Sequence, residues 1–159
     1  MRKIAGILAL ILAVVAPATV LAQSSVEKQI ADMIRGNFEY SLKNMRDKAG
    51  TNSKDGSLEF WSSGGLLQQV PAQPPITHYD SFNLNPKHIR VVQVADDVAV
   101  ALYYSEGSFK MKDSAEVPHY MTRVLEVYVK EGDGWKVRAA HWSPVAGGSG
   151  TAQTAPLTD

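Results

Sequence analysis

The chain has 159 residues, with 16 basic side chains, 16 acidic side chains and a formal net charge of zero. This balance leaves no electrostatic footprint for nucleic acid or for an anionic membrane surface, so neither is an expected partner. Cysteine is absent from the sequence, which excludes disulfides, thiol catalysis and thiolate metal sites.

The first residues have the pattern of a secretory signal peptide. Two basic residues precede the apolar run "IAGILALILAVVA", and Val20 and Ala22 stand three and one residues before Gln23. The run is shorter than a membrane-spanning helix requires, and the side chains before Gln23 suit cleavage after Ala22. We predict a signal peptide over residues 1–22 and a periplasmic or secreted mature protein that is not held in a membrane. An uncleaved anchor is the alternative.

A long amphipathic helix is predicted next. Apolar side chains recur at intervals of three and four residues and so share one helix face: Val26, Ile30, Met33, Ile34, Phe38, Leu42 and Met45. Ser24 and Glu27 fit a capping box at its start, and Gly50 fits a left-handed stop at its end. The segment 57–61, "SLEFW", is predicted to form a short second helix. Prolines in 71–75, "PAQPP", then break the chain.

Beyond these prolines the apolar pattern changes to a period of two. Segments such as "HIRVVQV", "VAVALYYSEGSFKM" and "TRVLEVYV" are rich in Val and Tyr and are separated by turn residues, which is typical of antiparallel strands. We predict one α+β domain over residues 23–146, with the long helix and the short helix packed on an antiparallel sheet. Residues 147–159 lack an apolar pattern and are predicted to form a flexible tail.

The last hairpin, "TRVLEVYVKEGDGWKVRAAHWSP", allows a register to be predicted. A three-residue loop at 131–133, with Gly134 supplying a positive φ, pairs Val129 with Trp135, and counting back along both strands pairs Arg123 with His141. Both polar side chains then share an apolar face that looks into the interior. The opposite face is mixed and aromatic, which suits a subunit interface. An inward Arg and His need either acceptors from the protein itself or a ligand, and both alternatives stay open.

This hairpin and the preceding "VVQVADDVAVALYY" resemble those of the nuclear transport factor 2-like superfamily, especially its SnoaL-like and ketosteroid-isomerase-like branch. The last hairpin is also similar to the association domain of calcium/calmodulin-dependent kinase II. The resemblance implies a cone-shaped domain whose helices and curved sheet enclose a pocket, often as a homodimer through the outer sheet face. The third helix usual in such domains would fall within residues 71–86, where four prolines disfavour it.

The predicted function is the binding of a small, partly apolar molecule, with an Arg/His pair at its polar end and aromatic side chains along the pocket walls. The predicted ligand-binding residues are Arg123, His141, Tyr79, Trp61, Tyr120 and Tyr40. Two other functions stay open: an isomerase, cyclase or hydrolase acting on a steroid- or polyketide-like substrate, and a non-catalytic dimerisation domain. No general base is identified for the enzyme. No cofactor is expected, and the spacing of the four histidines predicts no metal site.

Overall fold

A computed structural model of the protein describes residues 18–145, with side chains from Ser25 onward. Its elements in chain order are α1 (Ala18–Asn44), β1 (Ser57–Phe60), β2 (Gln68–Val70), β3 (Tyr79–Ala95), β4 (Val98–Met111), β5 (Glu116–Glu131) and β6 (Gly134–Pro144). Residues 1–17 of the predicted signal peptide and the whole predicted tail, 147–159, lie outside the described residues.

The strands form one six-stranded sheet in the order β2-β1-β6-β5-β4-β3. β1 runs parallel to β6, and every other neighbouring pair is antiparallel. The α1 helix packs on one side of the sheet, called here the inner face, and leaves the other side, the outer face, uncovered. The predicted α+β architecture is confirmed, although the sheet is mixed rather than wholly antiparallel.

The helix α1 buries the face that the sequence pattern predicts. Its buried and half-buried apolar side chains are Ile30, Ile34, Val26, Met33 and Phe38, whereas Leu42 and Met45 are exposed. The helix ends at Asn44, earlier than predicted, because Met45 takes a left-handed φ of 51°. It also continues through the predicted cleavage site, so Ser24 does not cap its start. As described, α1 lacks the apolar length that crossing a bilayer requires.

The predicted short helix at 57–61 is wrong, because this segment forms strand β1. Its side chains alternate between the two faces of the sheet, with Ser57 and Glu59 turned inward and Leu58 and Phe60 exposed. The strand lies between β2 and β6, which gives its backbone groups partners on both sides. A single isolated helical turn would leave most of these groups unpaired.

The last hairpin has a register that differs from the predicted one. Its loop consists of Gly132 and Asp133 alone, and Gly132 has the positive φ, 58°, that such a tight loop requires. The predicted loop, 131–133, was one residue longer. Tyr128 therefore pairs with Val137. A shift of one residue in the pairing exchanges the two faces of a strand, so the face of β5 that was predicted to be inner is the outer face in the structure.

A β-bulge at Arg138 adds a second change, because it interrupts the pairing of β5 with β6. The extra residue reverses the alternation along β6, so Val137 and Ala140 both face inward. The prediction that Arg123 and His141 look into the interior is therefore wrong, since both are exposed on the outer face. The inner face of this hairpin instead carries Tyr120, Thr122, Val124, Glu126, Tyr128, Ala140 and Trp142.

Two groups of buried side chains lie under α1. In the first, Ile30 and Ile34 pack on alanines at positions 99, 101 and 140, whose small side chains leave room for the two isoleucines. In the second, Phe82, Phe109 and Tyr120 pack together at the far end of the long strands. A register shift beside Gly107 bends the sheet between these groups. A cavity opens where the two groups diverge.

Candidate ligand-binding cavity

The cavity has a volume of about 1170 Å³ and lies between α1, the inner face of the sheet, the loop 47–52 and the segment 68–77, which comprises β2 and the proline-rich stretch after it. Nine aromatic side chains of the described residues line it: Phe38, Trp61, Tyr79, Phe82, Tyr103, Phe109, Tyr120, Tyr128 and Trp142. The rings hold one another in tilted and edge-to-face contacts. The centroid distance is 4.8 Å between Tyr79 and Phe82, and 5.2 Å between Phe109 and Tyr120. The walls are therefore apolar and pre-formed.

The proline-rich segment forms part of the rim. Residues 71–77 form neither helix nor strand, in agreement with the prediction that prolines prevent a third helix there. The backbone N–H of Asp47 donates to the carbonyl oxygen of Thr77 at 2.9 Å, and the N–H of Tyr79 donates to that of Met45 at 2.9 Å. These bonds tie the rim to the end of α1 and place Asp47 in the cavity wall.

Glu126 is the most deeply buried carboxyl group of the cavity, with 8% of its surface exposed. The hydroxyl of Tyr128 donates to its Oε2 at 2.5 Å, and the hydroxyl of Tyr103 also bonds to this carboxyl group. Burial raises the pKa of Glu126 to about 7, with a further contribution from the negative charge of Glu59; the two tyrosine hydrogen bonds act in the opposite direction. Glu126 thus exists in both protonation states near neutral pH.

The side chain of Glu59 carries a second carboxyl group on the same wall. Ser57 Oγ donates to its Oε1 at 2.5 Å, and Trp61 Nε1 donates to its Oε2 at 2.9 Å. Ser62, which follows Trp61, has its Oγ 3.2 Å from the hydroxyl of Tyr120. The residues after β1 therefore form a hydrogen-bonded edge that holds two aromatic walls of the cavity in place.

Asp47 and Tyr79 form a third polar group near the rim. The Tyr79 hydroxyl donates to Asp47 Oδ1 at 2.6 Å. Burial raises the pKa of Asp47, against the lowering effects of hydrogen bonds from Tyr79 and Thr77. Burial also raises the pKa of Tyr79, and the neighbouring carboxylate raises it further. Tyr79 is therefore a hydrogen-bond donor with a neutral hydroxyl at any physiological pH.

The structure brings together only some of the predicted ligand-binding residues. Tyr79, Trp61 and Tyr120 line the cavity. Tyr40 does not line it: this ring lies beside the guanidinium of Arg46, 5.9 Å from the ring centroid to Cζ.

Arg123 and His141 lie on the opposite side of the sheet from the cavity. The guanidinium of Arg123 donates to the carbonyl oxygen of Pro144 at 3.1 Å, and the ring of His141 lies 5.7 Å from that of Phe60. Neither side chain can contact a molecule inside the cavity. The prediction that an Arg/His pair anchors the ligand is therefore wrong, and the polar groups of the cavity are instead carboxyl and hydroxyl groups.

Sequence reasoning missed the three carboxyl groups of the cavity, Asp47, Glu59 and Glu126. Asp47 and Glu59 fall in segments predicted to be helical, and Glu126 falls on the strand face predicted to be the outer one. Glu126 follows Leu125 in "VLEVYV", where both faces of the strand carry apolar residues. The available indication was Tyr128, two residues along the same strand face, whose hydroxyl bonds to Glu126. Among the described residues, no three acidic or histidine side chains converge to hold a metal ion.

The outer face of the sheet is unusually apolar. Its exposed large side chains include Leu58, Phe60, Val92, Leu102, Tyr104 and Leu125, which we call the outer apolar patch. Cross-strand pairing places Phe60, His141, Leu125 and Leu102 in one row across four strands. Contiguous exposed apolar side chains of this kind mark interaction surfaces in soluble proteins.

The sequence matches no protein-family model and no curated protein. The chain is similar in fold to several solved structures, including the following three. A nuclear transport factor 2-like protein of unknown function from Pseudomonas putida has a TM-score of 0.52 and 14% identity, over 84% of this chain and 98% of that one. An uncharacterised protein with a cystatin-like fold from Caulobacter vibrioides has a TM-score of 0.53 and 14% identity, over 74% of this chain and 88% of that one.

The third structure is the association domain of calcium/calmodulin-dependent kinase II from C. elegans. It has a TM-score of 0.52 and 11% identity, over 77% of this chain and 98% of that one. Identities this low bear on the fold alone, so the SnoaL-like or ketosteroid-isomerase-like branch stays a prediction. The helix on a curved sheet of six strands agrees with these structures: the chain has the nuclear transport factor 2-like fold.

Proposed function

We propose that the protein binds a small, partly apolar molecule in the cavity beneath α1. The observation that carries this proposal is the cavity itself, about 1170 Å³ with aromatic walls and inward-facing carboxyl groups. Pockets for drug-sized ligands have volumes of roughly 300–1,000 Å³ and combine apolar walls with a few placed polar groups. A domain that served only for dimerisation would fill this space with its own side chains.

The aromatic walls would contact the apolar body of the ligand, and the carboxyl and hydroxyl groups would orient its polar end. Glu126 and Asp47 each already accept a hydrogen bond from a tyrosine hydroxyl. These bonds fix the side chains before a ligand arrives, which lowers the entropy cost of binding. On the signal-peptide pattern of residues 1–22, we propose that binding takes place in the periplasm or outside the cell.

The test is native mass spectrometry of protein purified from the periplasm, which detects a retained small molecule as added mass. We expect added mass on the wild type and its loss in Trp61→Ala, which removes one wall. Arg123→Ala is the matched control and should keep the molecule, because its side chain lies on the outer face. Equal loss in both variants, or a wild type that retains nothing and binds no apolar probe, would overturn the proposal.

We propose acid–base catalysis on the bound molecule as a second candidate function, supported by Glu126. A general acid or base works best when its pKa lies near the working pH, and burial raises the pKa of Glu126 to about 7. Such a carboxyl group would suit an isomerase, cyclase or hydrolase acting on a steroid- or polyketide-like substrate. Glu126→Gln should then abolish turnover of a bound substrate while leaving its affinity within a few-fold; unchanged turnover would exclude this role.

We also propose that two copies associate through the outer apolar patch. The support is the row of exposed apolar side chains, which is costly to leave in water. Sedimentation velocity at micromolar concentration is expected to show a dimer for the wild type and a monomer for Leu125→Glu. Leu66→Glu, an exposed leucine in the loop between β1 and β2, is the control and should stay dimeric. A monomeric wild type would contradict the proposal.

A further inference from the structure

We infer that the molecule bound in the cavity carries a protonated nitrogen, as an amine or amidine, on an aromatic or aliphatic body. This inference rests on the proposed function and adds the chemical class of the ligand. Its basis is the one-sided charge of the cavity wall, which also decides which ligands are rejected.

The charged residues of the wall are almost all acidic. Asp47, Glu59 and Glu126 line the cavity, and among the described lining residues Lys48 is the only basic one. Lys48 is exposed at the rim, in the loop that follows α1, and no arginine or histidine belongs to the described lining. The hydrogen bonds that these carboxyl groups accept come from neutral hydroxyl and indole donors, and the charge of His78, outside the lining, acts on Asp47 alone among the three.

Glu59 and Glu126 pair with Ala140 from its two sides, so both carboxyl groups lie on one face of the sheet, two strands apart, and the charge of Glu59 raises the pKa of Glu126. Two carboxyl groups that repel each other across a buried space are stabilised by a cation between them. The neighbours of Glu126 in the structure are the hydroxyls of Tyr103 and Tyr128, neither of which carries positive charge. A ligand ammonium group would supply the charge that the cavity wall lacks.

Further features of the wall favour a hydrogen-bond donor with positive charge. The amide Oδ1 of Asn37, on the α1 side of the cavity, is buried and accepts no hydrogen bond from the described residues. Buried acceptors of this kind normally have a donor. The rings of Trp61, Trp142 and Tyr103 also offer faces on which a cation is attracted to the π electrons.

The same wall disfavours anionic ligands. A ligand carboxylate would lie near three acidic side chains with no arginine or histidine of the described lining to pair with it. Like charges within one desolvated site repel, and an unpaired buried charge is costly. Among molecules of equal size and apolar area, a cation should therefore bind best, a neutral alcohol less well and a carboxylate least.

The experiment compares three probes that share one naphthalene ring: naphthylethylamine, naphthylethanol and naphthylacetate. Affinities are measured by isothermal titration calorimetry at pH 8, where the amine is protonated and Glu126 is largely ionised. Because hydrogen bonds to charged groups are the strong ones, we expect the amine to bind about tenfold tighter than the alcohol, or more. In Glu126→Gln this preference should fall several-fold, while the affinity for the alcohol changes little. Glu59→Gln is a second variant, which removes a carboxylate charge from the cavity wall independently of Glu126.

The outcomes separate this inference from the proposed function. Binding of the alcohol or of the carboxylate as tightly as the amine overturns the inference and leaves the cavity a binding site. An amine preference that survives in both glutamine variants overturns it as well. Failure of all three probes to bind overturns the proposed function together with the inference. A mass identified in the native spectrum as a molecule without a basic nitrogen overturns the inference alone.

Discussion

The buried carboxyl group of Glu126 should make the free energy of unfolding depend on pH. Its pKa is about 7 in the folded protein, against an ordinary value of 4.5 for a glutamate side chain in water. When the folded pKa of an acid is raised, the unfolded chain ionises first as pH increases, so stability falls through this window. We expect the contribution of Glu126 to be favourable below pH 4.5, to decrease between the two pKa values and to level off above pH 7.

The size of this pH dependence follows from the difference between the folded and the ordinary pKa of Glu126. One pKa unit corresponds to about 1.4 kcal/mol, so the full shift corresponds to about 3 kcal/mol. Integrating proton binding in the two states places most of this loss, roughly 2–3 kcal/mol, between pH 5 and pH 8. The carboxyl group is almost fully buried, so solvent screening reduces the effect little.

Urea unfolding of the wild type and of Glu126→Gln at pH 5 and pH 8 measures the effect. The wild type should lose about 2–3 kcal/mol more than the variant over this range, because glutamine does not titrate. Glu131→Gln is the control: hydrogen bonds lower the pKa of Glu131, so this group is ionised throughout the window and the variant should follow the wild type. Parallel curves for the wild type and Glu126→Gln would refute the assignment of a neutral, buried carboxyl group.

Two further predictions concern stability. Gly107→Ala should lower the free energy of unfolding by at least about 2 kcal/mol, because φ is 143° there and a Cβ would lie 1.9 Å from a backbone carbonyl oxygen. The control is Gly36→Ala in α1, where no atom lies within 4 Å of the added carbon, and it should be neutral or stabilising. Equal losses of stability for the two variants in urea unfolding would contradict this prediction. Tyr79→Phe should cost about 1–2 kcal/mol, because it removes one of the two donors to Asp47 and leaves the hydrogen bond from Thr77, and it should raise the pKa of Asp47 further, measured by carboxyl-carbon NMR titration; an unchanged titration would contradict this contact.

The sequence pattern was a reliable guide where one periodicity dominates. The face of α1 that carries Ile30 and Ile34 is buried as its spacing predicts, because a helix with a single apolar stripe has only one way to face a sheet. The strands after residue 78 follow from their period of two and their turn residues. The prolines of 71–75 correctly exclude a helix from the cavity rim, since proline blocks helix continuation whatever the tertiary context.

The faces of the last hairpin could not be derived in the same way. Both faces of β5 carry apolar residues, so the pattern alone does not tell inside from outside. The choice then depends on the length of the loop, and Gly132 supplies the positive φ that Gly134 was predicted to supply. The bulge at Arg138 reverses the alternation once more, and nothing in the local sequence marks its position. Each of these steps exchanges the two faces of a strand.

Residue size distinguishes the faces where hydrophobicity does not. On β4 the inner face under α1 carries Ala99 and Ala101, while the outer face carries the larger Leu102. Small side chains on a sheet leave room for the large side chains of a covering helix, here Ile30 and Ile34, since interiors are close-packed. The face with alanines is therefore the covered one, and pairing of Ala101 with Glu126 carries that assignment to β5. By this reasoning Glu126 must be buried, and a buried carboxyl group requires donors from the protein or positive charge from a ligand.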